Sequence, residues 1–578
     1  MKNLSKYLKY YKLQVIIGPI FKLIEAVLEL ICPILVAKII DVGISAGDSG
    51  YIIKYGIIVV GLNIIGFVFS VICQKCASVA SVGIATKIRD DMYENINNLS
   101  HAEIDKFGTS SLLTRLTNDV YQIEVMVSIL IRVMIRCPCL LIGSIILSMT
   151  INLKLSIVFL IVIPVLTLIL IFYTKKTMPF FKLIRQRLDT VSRITRENLS
   201  GVRVVRAFNQ QPQEEKRFFT ANDKLVKTSI TVSQISALLN PLIFLIVDFA
   251  IIAILWFGGI EINVGGLTQG ELIAFANYMV TLSNSLIAAS RIYVNLVRTT
   301  ASAHRINEVL DAKTSVVFAD KNVQANYDEN QPILEFKNVG FSYNINETDP
   351  DRMFIKDLTF NLMPNQTLGI IGSTGSGKTT IANLIARFYD CNTGEILLYG
   401  KNIKDYSLKQ LRKIVSITQQ RSTLFSGTLR ENMQLRKQNA SDEEIIQALQ
   451  TAQAWEFVKD FPNTLDYKIM AGGKNVSGGQ MQRLTIARSL VDSPKLLILD
   501  DSASALDFLT DLNLRKALKK DLNCATVLIS QRTTTIKNAD LIIVLDHGEV
   551  VGMGKHKDLL KNCAIYHETY ISQTHREE

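Results

Sequence analysis

The sequence predicts an α-helical transmembrane domain of six spans (residues 1–310), a linker (311–332) and an α/β domain with a largely parallel sheet (333–578). Three observations carry that reading. Apolar runs recur six times in the first half, short β-branched runs alternate with helical stretches in the second, and charge is unequally divided between the halves. Of the 578 residues 48% are hydrophobic and 20% charged, which excludes a disordered chain. The formal net charge is +11; residues 1–310 hold 31 Lys/Arg against 20 Asp/Glu, and residues 311–578 hold 32 of each. A basic excess confined to the half with the apolar runs points to a lipid bilayer and away from nucleic acid.

The apolar runs centre on Ile16–Ile40, Ile52–Ile72, Ile129–Ile151, Leu155–Tyr173, Leu238–Phe257 and Leu272–Leu296. Each reaches roughly the 20 residues of a spanning helix. Before the first, Leu4, Tyr7, Leu8 and Tyr11 recur at helical spacing in a basic segment, which predicts a helix lying along the membrane interface. The run from Val15 to Ile40 is too long, and with Lys22, Glu25, Glu29 and Lys38 too charged, for a cleavable signal peptide. Segments 41–50 and 258–270 contain no Lys or Arg, whereas Lys175–Lys227 holds thirteen against five Asp/Glu. The positive-inside rule therefore places both long connections and both termini in the cytoplasm, with Lys154 as the one dissenter. Those connections continue the helical period, so long helices should project beyond the bilayer and turn near Ser110–Asp119 and Phe208–Glu215. The eight cysteines, including the Cys73/Cys76 pair, read as buried small hydrophobes.

In the second half, runs at Ile333–Phe336, Thr367–Ile371, Lys495–Asp500, Thr526–Ser530 and Leu541–Leu545 read as strands. After the second of these comes Gly372-Ser373-Thr374-Gly375-Ser376-Gly377-Lys378-Thr379, followed by Thr380, in the strand–loop–helix context of a P-loop. Its glycines let backbone N–H groups wrap a phosphate at a helix N-terminus. Lys378 would reach the β- and γ-phosphates of ATP, and the Thr379 hydroxyl would bind Mg²⁺. Asp500, ending the run Leu496–Leu499, supplies the second carboxylate that a Mg²⁺–nucleotide site needs.

Between these motifs lies Val476-Ser477-Gly478-Gly479-Gln480. With it the chain resembles an ABC transporter half of the exporter type, similar to multidrug exporters, over essentially its whole length. The resemblance implies a P-loop nucleotide-binding domain with an α-helical subdomain, and ATPase activity coupled to transport. It implies that Tyr343, in Gly340-Phe341-Ser342-Tyr343, stacks on adenine. Gln420 becomes the Q-loop glutamine touching Mg²⁺, with Gln419 as the alternative; Ser504–Asp507 becomes the D-loop, and the tips near 110–119 and 208–215 become coupling helices. Ser477, Gly478, Gly479 and Gln480 would close on the nucleotide held by a second half-transporter, so dimerisation is implied.

The sequence departs from the family pattern where hydrolysis occurs. The residue after Asp500, the family's Walker B aspartate, is Asp501 instead of Glu, and the switch position carries Gln531 instead of His. Ala471 stands where an acid is usual before the family's signature, here Val476–Gln480. These changes resemble the degenerate half of a heterodimeric exporter: a chain that binds ATP, hydrolyses it slowly, and pairs with a different half bearing Glu and His. The other readings are a homodimeric lipid or peptide exporter and an ATP-gated channel or sensor on the same fold. Glu25, Glu29, Lys22, Arg132, Arg136 and Asp248 lie within or beside spans. They read as interhelical ion pairs or snorkelling groups, with a patch for a cationic or amphipathic small molecule as the alternative. Asn240, Asn277, Tyr278 and Asn284 are candidates for lining a cavity. A bacterial plasma membrane is the expected location.

Overall fold

The computed structural model describes residues 2–323, 330–344, 347, 349–502, 506–521 and 523–574. The chain divides into two compact units, Met1–Asn95 with Ser110–Asp311, and Ile96–Thr109 with Ala312–Glu578.

The first unit is helical. Five stretches are long and apolar enough to cross a membrane among the described residues: Ser49–Asn98, Thr109–Ile151, Ile157–Ser200, Gln211–Asn263 and Gln269–Ala289. The sequence predicts six. The helix Lys12–Lys38 has the length, at 27 residues, but Lys22, Glu25 and Glu29 interrupt its apolar run. It nevertheless packs on the helices Gln269–Leu310, Val120–Arg132 and Arg136–Ile151. The core between them includes Leu30, Leu140, Phe275 and Tyr278. Thr268 starts the helix Gln269–Leu310 with a reciprocal pair of hydrogen bonds to Glu271, satisfying donors that a helix end leaves orphaned.

Four sequence expectations change here. The N-terminal segment Lys2–Tyr11 is a 3-10 helix whose Leu4 and Tyr7 are buried in the protein, with the Tyr7 hydroxyl donating to Asp91 at 2.8 Å. Leu4 and Tyr7 therefore face protein, while Tyr10 is exposed. Tyr278 is core, donating to the Leu30 carbonyl at 2.7 Å, so it does not line a cavity. The expected turn at Ser110–Asp119 is helical and runs into Val120–Arg132. The short separate helix lies just before it, at His101–Phe107, and the second lies at Val202–Ala207, just before Phe208–Glu215.

Several of the charges within the helices have polar partners, while Asp248 is exposed. Lys22 bonds Glu25 at 2.7 Å and Ser70 at 3.2 Å; Arg136 bonds Glu29 at 2.7 Å; Arg132 bonds Gln74 at 2.9 Å. Lys154 meets Glu261 at 3.1 Å.

The second unit is built on two sheets. Six strands lie in the order Glu549–Gly554, Leu541–Asp546, Thr367–Gly372, Ala525–Ile529, Leu496–Asp500, Val415–Thr418, all parallel except the first. The central strands are buried on both faces, which explains their unbroken apolar runs. Leu334–Phe341 belongs instead to a four-stranded sheet, where it pairs antiparallel with Ile355–Leu362 and Thr393–Leu398. The helices Asp442–Thr451 and Gly478–Leu490 pack on each other beside the parallel sheet. His101–Phe107 belongs to this unit: His101 stacks on Phe388 at 4.2 Å, the Tyr389 hydroxyl donates to Asp105, and Ser100 meets Ser315 at 2.9 Å.

Candidate functional site

The carboxyl ends of the parallel strands converge on one cleft, the usual ligand position of an open α/β sheet. A cavity of about 150 Å³ is lined by Thr374, Gly375, Gly377, Lys378, Thr379 and Thr380 from the loop, Asp500 and Asp501 from the next strand but one, and Gln420, Gln531, Phe354 and Ile529. The loop needs its glycines. Gly375 and Gly377 hold φ of +84° and +102°, and a Cβ on Gly372 would lie 2.2 Å from the Leu545 carbonyl oxygen.

Lys378 is buried and its ammonium donates to the carbonyls of Gly372 at 2.9 Å and Ser373 at 2.6 Å, folding over the loop. Burial pulls its pKa down, against the opposing pull of Asp501 and Asp500. Ser376 lies buried beneath the loop, 3.5 Å from the same ammonium. The Thr379 hydroxyl donates to Asp500 at 3.2 Å. Burial pushes the Asp500 carboxyl up to about 6, with Thr379 opposing and Asp501 adding to the rise. Asp501 is likewise raised by burial, Gln420 opposing it, and it accepts a long 3.4 Å hydrogen bond from the Gln420 amide. Its backbone has φ +45°, fixed by its own N–H donating to the Ile529 carbonyl at 2.9 Å.

Tyr343 is half exposed and its hydroxyl lies 2.9 Å from that of Thr380. Phe354 stands 5.6 Å from the Tyr343 ring and lines the cleft, a residue with no motif to announce it. Gln531 is exposed on the cleft side, while its carbonyl accepts from Gln573 at 2.8 Å. The same Gln573 side chain accepts from the Thr533 N–H at 2.8 Å and hydroxyl at 2.9 Å. That clasp joins the helix Ala564–Thr574 to the switch position and was invisible in sequence.

Ser477, Gly478, Gly479 and Gln480 do not line this cleft. Ser477 caps the helix Gly478–Leu490, accepting from the Gln480 N–H at 3.3 Å while the Gln480 side chain accepts from the Ser477 N–H at 2.9 Å. A Cβ on Gly478 would meet nothing within 4 Å, so this N-terminus is open to an incoming group. Asp507 accepts from the Thr510 N–H at 3.1 Å; Ser504 and Ala505 lie outside the described residues. Thr379, Asp500 and Gln420 form a set of hard oxygen donors of the kind Mg²⁺ takes. No group of three or more His, Cys, Asp or Glu that could hold a metal ion occurs among the described residues.

A phosphate-wrapping loop, a buried strand-end carboxylate and a preceding helical membrane unit define a membrane transport ATPase. Residues 15–286 match the ABC transporter transmembrane region family, and residues 355–504 match the ABC transporter family. An uncharacterised ABC transporter ATP-binding protein, YfiB of Bacillus subtilis (strain 168), is 34% identical over 100% of this chain and 99% of its own. A second uncharacterised member from Mycobacterium tuberculosis (strain CDC 1551 / Oshkosh) is 32% identical over 99% of this chain and 98% of its own. The chain belongs to the ABC transporter family. Its fold is that of a bacterial Atm1-family ABC exporter solved with ATP bound (TM-score 0.76, 23% identity, 99% of this chain and 98% of that one).

Proposed function

We propose that this chain is one half of an ATP-driven exporter of amphipathic compounds, and that its own nucleotide site is a slow one paired with a competent site on a different half. The observation that carries the proposal is the meeting of Asp501 and Gln531 in one cleft with Lys378, Thr379 and Asp500. Loop amides from Gly372 to Thr380 and the Lys378 ammonium hold the nucleotide phosphates. Tyr343 stacks on the adenine, and Thr379, Asp500 and Gln420 hold Mg²⁺, which neutralises charge on the phosphates.

Asp501 takes the position that orients the attacking water, with a carboxylate one methylene short. A misplacement of about 1 Å costs on the order of a hundredfold in rate. Gln531 donates to the γ-phosphate as a neutral amide and cannot become cationic. Ser477, Gly478, Gly479 and Gln480 complete the partner's site, and Asp507 faces the partner across the same interface. The helix Lys12–Lys38 acts as the sixth span, three of its charges neutralised in the pairs Lys22–Glu25 and Glu29–Arg136. Both termini lie in the cytoplasm.

The test is ATPase activity of the purified chain alone and with a second half bearing Glu and His at positions equivalent to 501 and 531. Little turnover alone and strong turnover in the pair is expected. Robust turnover by the chain alone, as a homodimer, overturns the slow-site reading.

A further inference from the structure

The turn that carries Gln531 is held by more than its own strand. The strand Ala525–Ile529 ends on a carbonyl that accepts the Asp501 N–H at 2.9 Å, and the Ser530 N–H donates to the Ile370 carbonyl at 3.1 Å. Ser530 is buried, and its hydroxyl accepts from the Arg532 N–H at 3.0 Å. Immediately afterwards Thr533 begins the four-residue helix Thr533–Ile536. A helix start leaves its first N–H groups without intrahelical acceptors, and the preceding residue, Arg532, supplies no side-chain cap. Thr533 is fully buried, so its N–H needs a partner from elsewhere.

One side chain serves both this N–H and the Gln531 carbonyl. The Gln573 Oε1 accepts from the Thr533 N–H at 2.8 Å and from its hydroxyl at 2.9 Å, while Nε2 donates to the Gln531 carbonyl at 2.8 Å. A carboxamide carries an acceptor and a donor in one plane, which a carbonyl and an N–H two residues apart require together. A carboxylate at 573 would offer acceptors alone. Gln573 lies in the last turn of the helix Ala564–Thr574, which packs on Thr533–Ile536. Nearer its start that helix is anchored by Tyr566, fully buried, with its hydroxyl 2.8 Å from the His556 Nδ1. The position of the Gln573 amide is therefore set by a packed helix.

Gln531 lines the nucleotide cleft with Lys378, Thr379 and Asp500. Its side chain follows its backbone, and a displacement of about 1 Å at such a group costs on the order of a hundredfold in rate. We propose that Gln573 is a positioning residue of the nucleotide site, holding the Gln531 backbone so that the Gln531 amide meets the terminal phosphate of ATP. This role rests on the reading of Gln531 as a donor to the γ-phosphate. It makes the helix Ala564–Thr574 part of how the site tells ATP from ADP.

The experiment is equilibrium binding of nucleotide to the full-length chain in detergent with Mg²⁺, comparing ADP with the β,γ-imido analogue of ATP. Gln531→Ala should weaken the analogue at least about fivefold and leave ADP unchanged. Gln573→Met, similar in length but without the amide, should do the same. The double variant should bind no more weakly than Gln531→Ala alone, because two residues acting through one contact do not add. Gln573→Glu keeps an acceptor for Thr533 but sets an oxygen against the Gln531 carbonyl, and should match Gln573→Met. Equal loss of both nucleotides in the Gln573 variants, or a loss that adds to that of Gln531→Ala, belongs to a general structural role and overturns the proposal. Full selectivity in either Gln573 variant, with selectivity lost in Gln531→Ala, overturns it too and leaves the reading of Gln531 standing. Unchanged selectivity in Gln531→Ala removes the γ-phosphate contact itself, and the role of Gln573 with it.

Discussion

At the residue scale, the cleft separates what local sequence encodes from what the fold assembles. The P-loop is legible because its chemistry is contiguous: a strand, glycines forced to positive φ, then Lys378 and Thr379 opening a helix. Asp500 is legible because a buried strand announces it. Phe354 and Gln573 were not legible, since one follows an irregular stretch and the other arrives from the C-terminal helix more than forty residues after the switch position. Restoring reach at the hydrolytic position gives the sharpest prediction. Asp501→Glu in the assembled pair should raise turnover at this site by about tenfold or more, read as phosphate release with the partner site inactivated. No gain would place the limit at Gln531 or at the partner's signature. Gln573→Ala removes three hydrogen bonds at Gln531 and Thr533. Each such bond contributes about 1 kcal/mol. The expected outcome is faster amide exchange confined to residues 530–536, with the global unfolding midpoint changed by only a few degrees.

At the element scale, the short helix His101–Phe107 shows why the turn expectation missed by one helix. Its helical start is written locally, in Ser100 and Glu103, whose side chains close a capping box. Its place is not, because the partners that hold it, Phe388, Tyr389 and Ser315, are more than two hundred residues away. Those contacts give the element a pH response. Burial lowers the His101 pKa below its ordinary 6.5, with Asp105 opposing and Arg412 reinforcing. A group whose pKa is depressed on folding binds fewer protons when folded, so its stabilisation is complete above about 6.5 and declines as pH falls below that value. Exchange of the amides at 101–107, corrected for the intrinsic pH dependence, should therefore be faster at pH 5.5 than at 7.5. His101→Phe keeps the stacking on Phe388 without the proton and should abolish the difference. A pH response that persists in His101→Phe would assign it elsewhere in the element.

At the scale of the whole molecule, the uneven charge of the sequence takes on a structural meaning. The net +11 belongs to residues 1–310, yet two pairs of opposite charge lie within its apolar helices: Lys22 with Glu25 and Arg136 with Glu29. Pairing of this kind explains how a helix with three charges in its middle can pack among apolar neighbours. It also separates two roles that sequence alone could not. If Glu29 holds helices together through Arg136, Glu29→Gln leaves Arg136 without its counter-charge. The unfolding midpoint in detergent should then fall, while the exchanged pair Glu29→Arg with Arg136→Glu restores most of the loss. Nucleotide-dependent accumulation of an amphipathic dye in inverted vesicles, scaled to folded protein, should be unchanged by Glu29→Gln. If Glu29 instead binds a cationic substrate, transport falls with Glu29→Gln at constant stability, and the exchanged pair does not recover it. The two-part readout matters because breaking an ion pair in a low-dielectric setting costs more than the pair itself contributes. A transport defect alone would not distinguish a lost ligand contact from a loosened bundle, whereas rescue by charge exchange belongs only to the structural role.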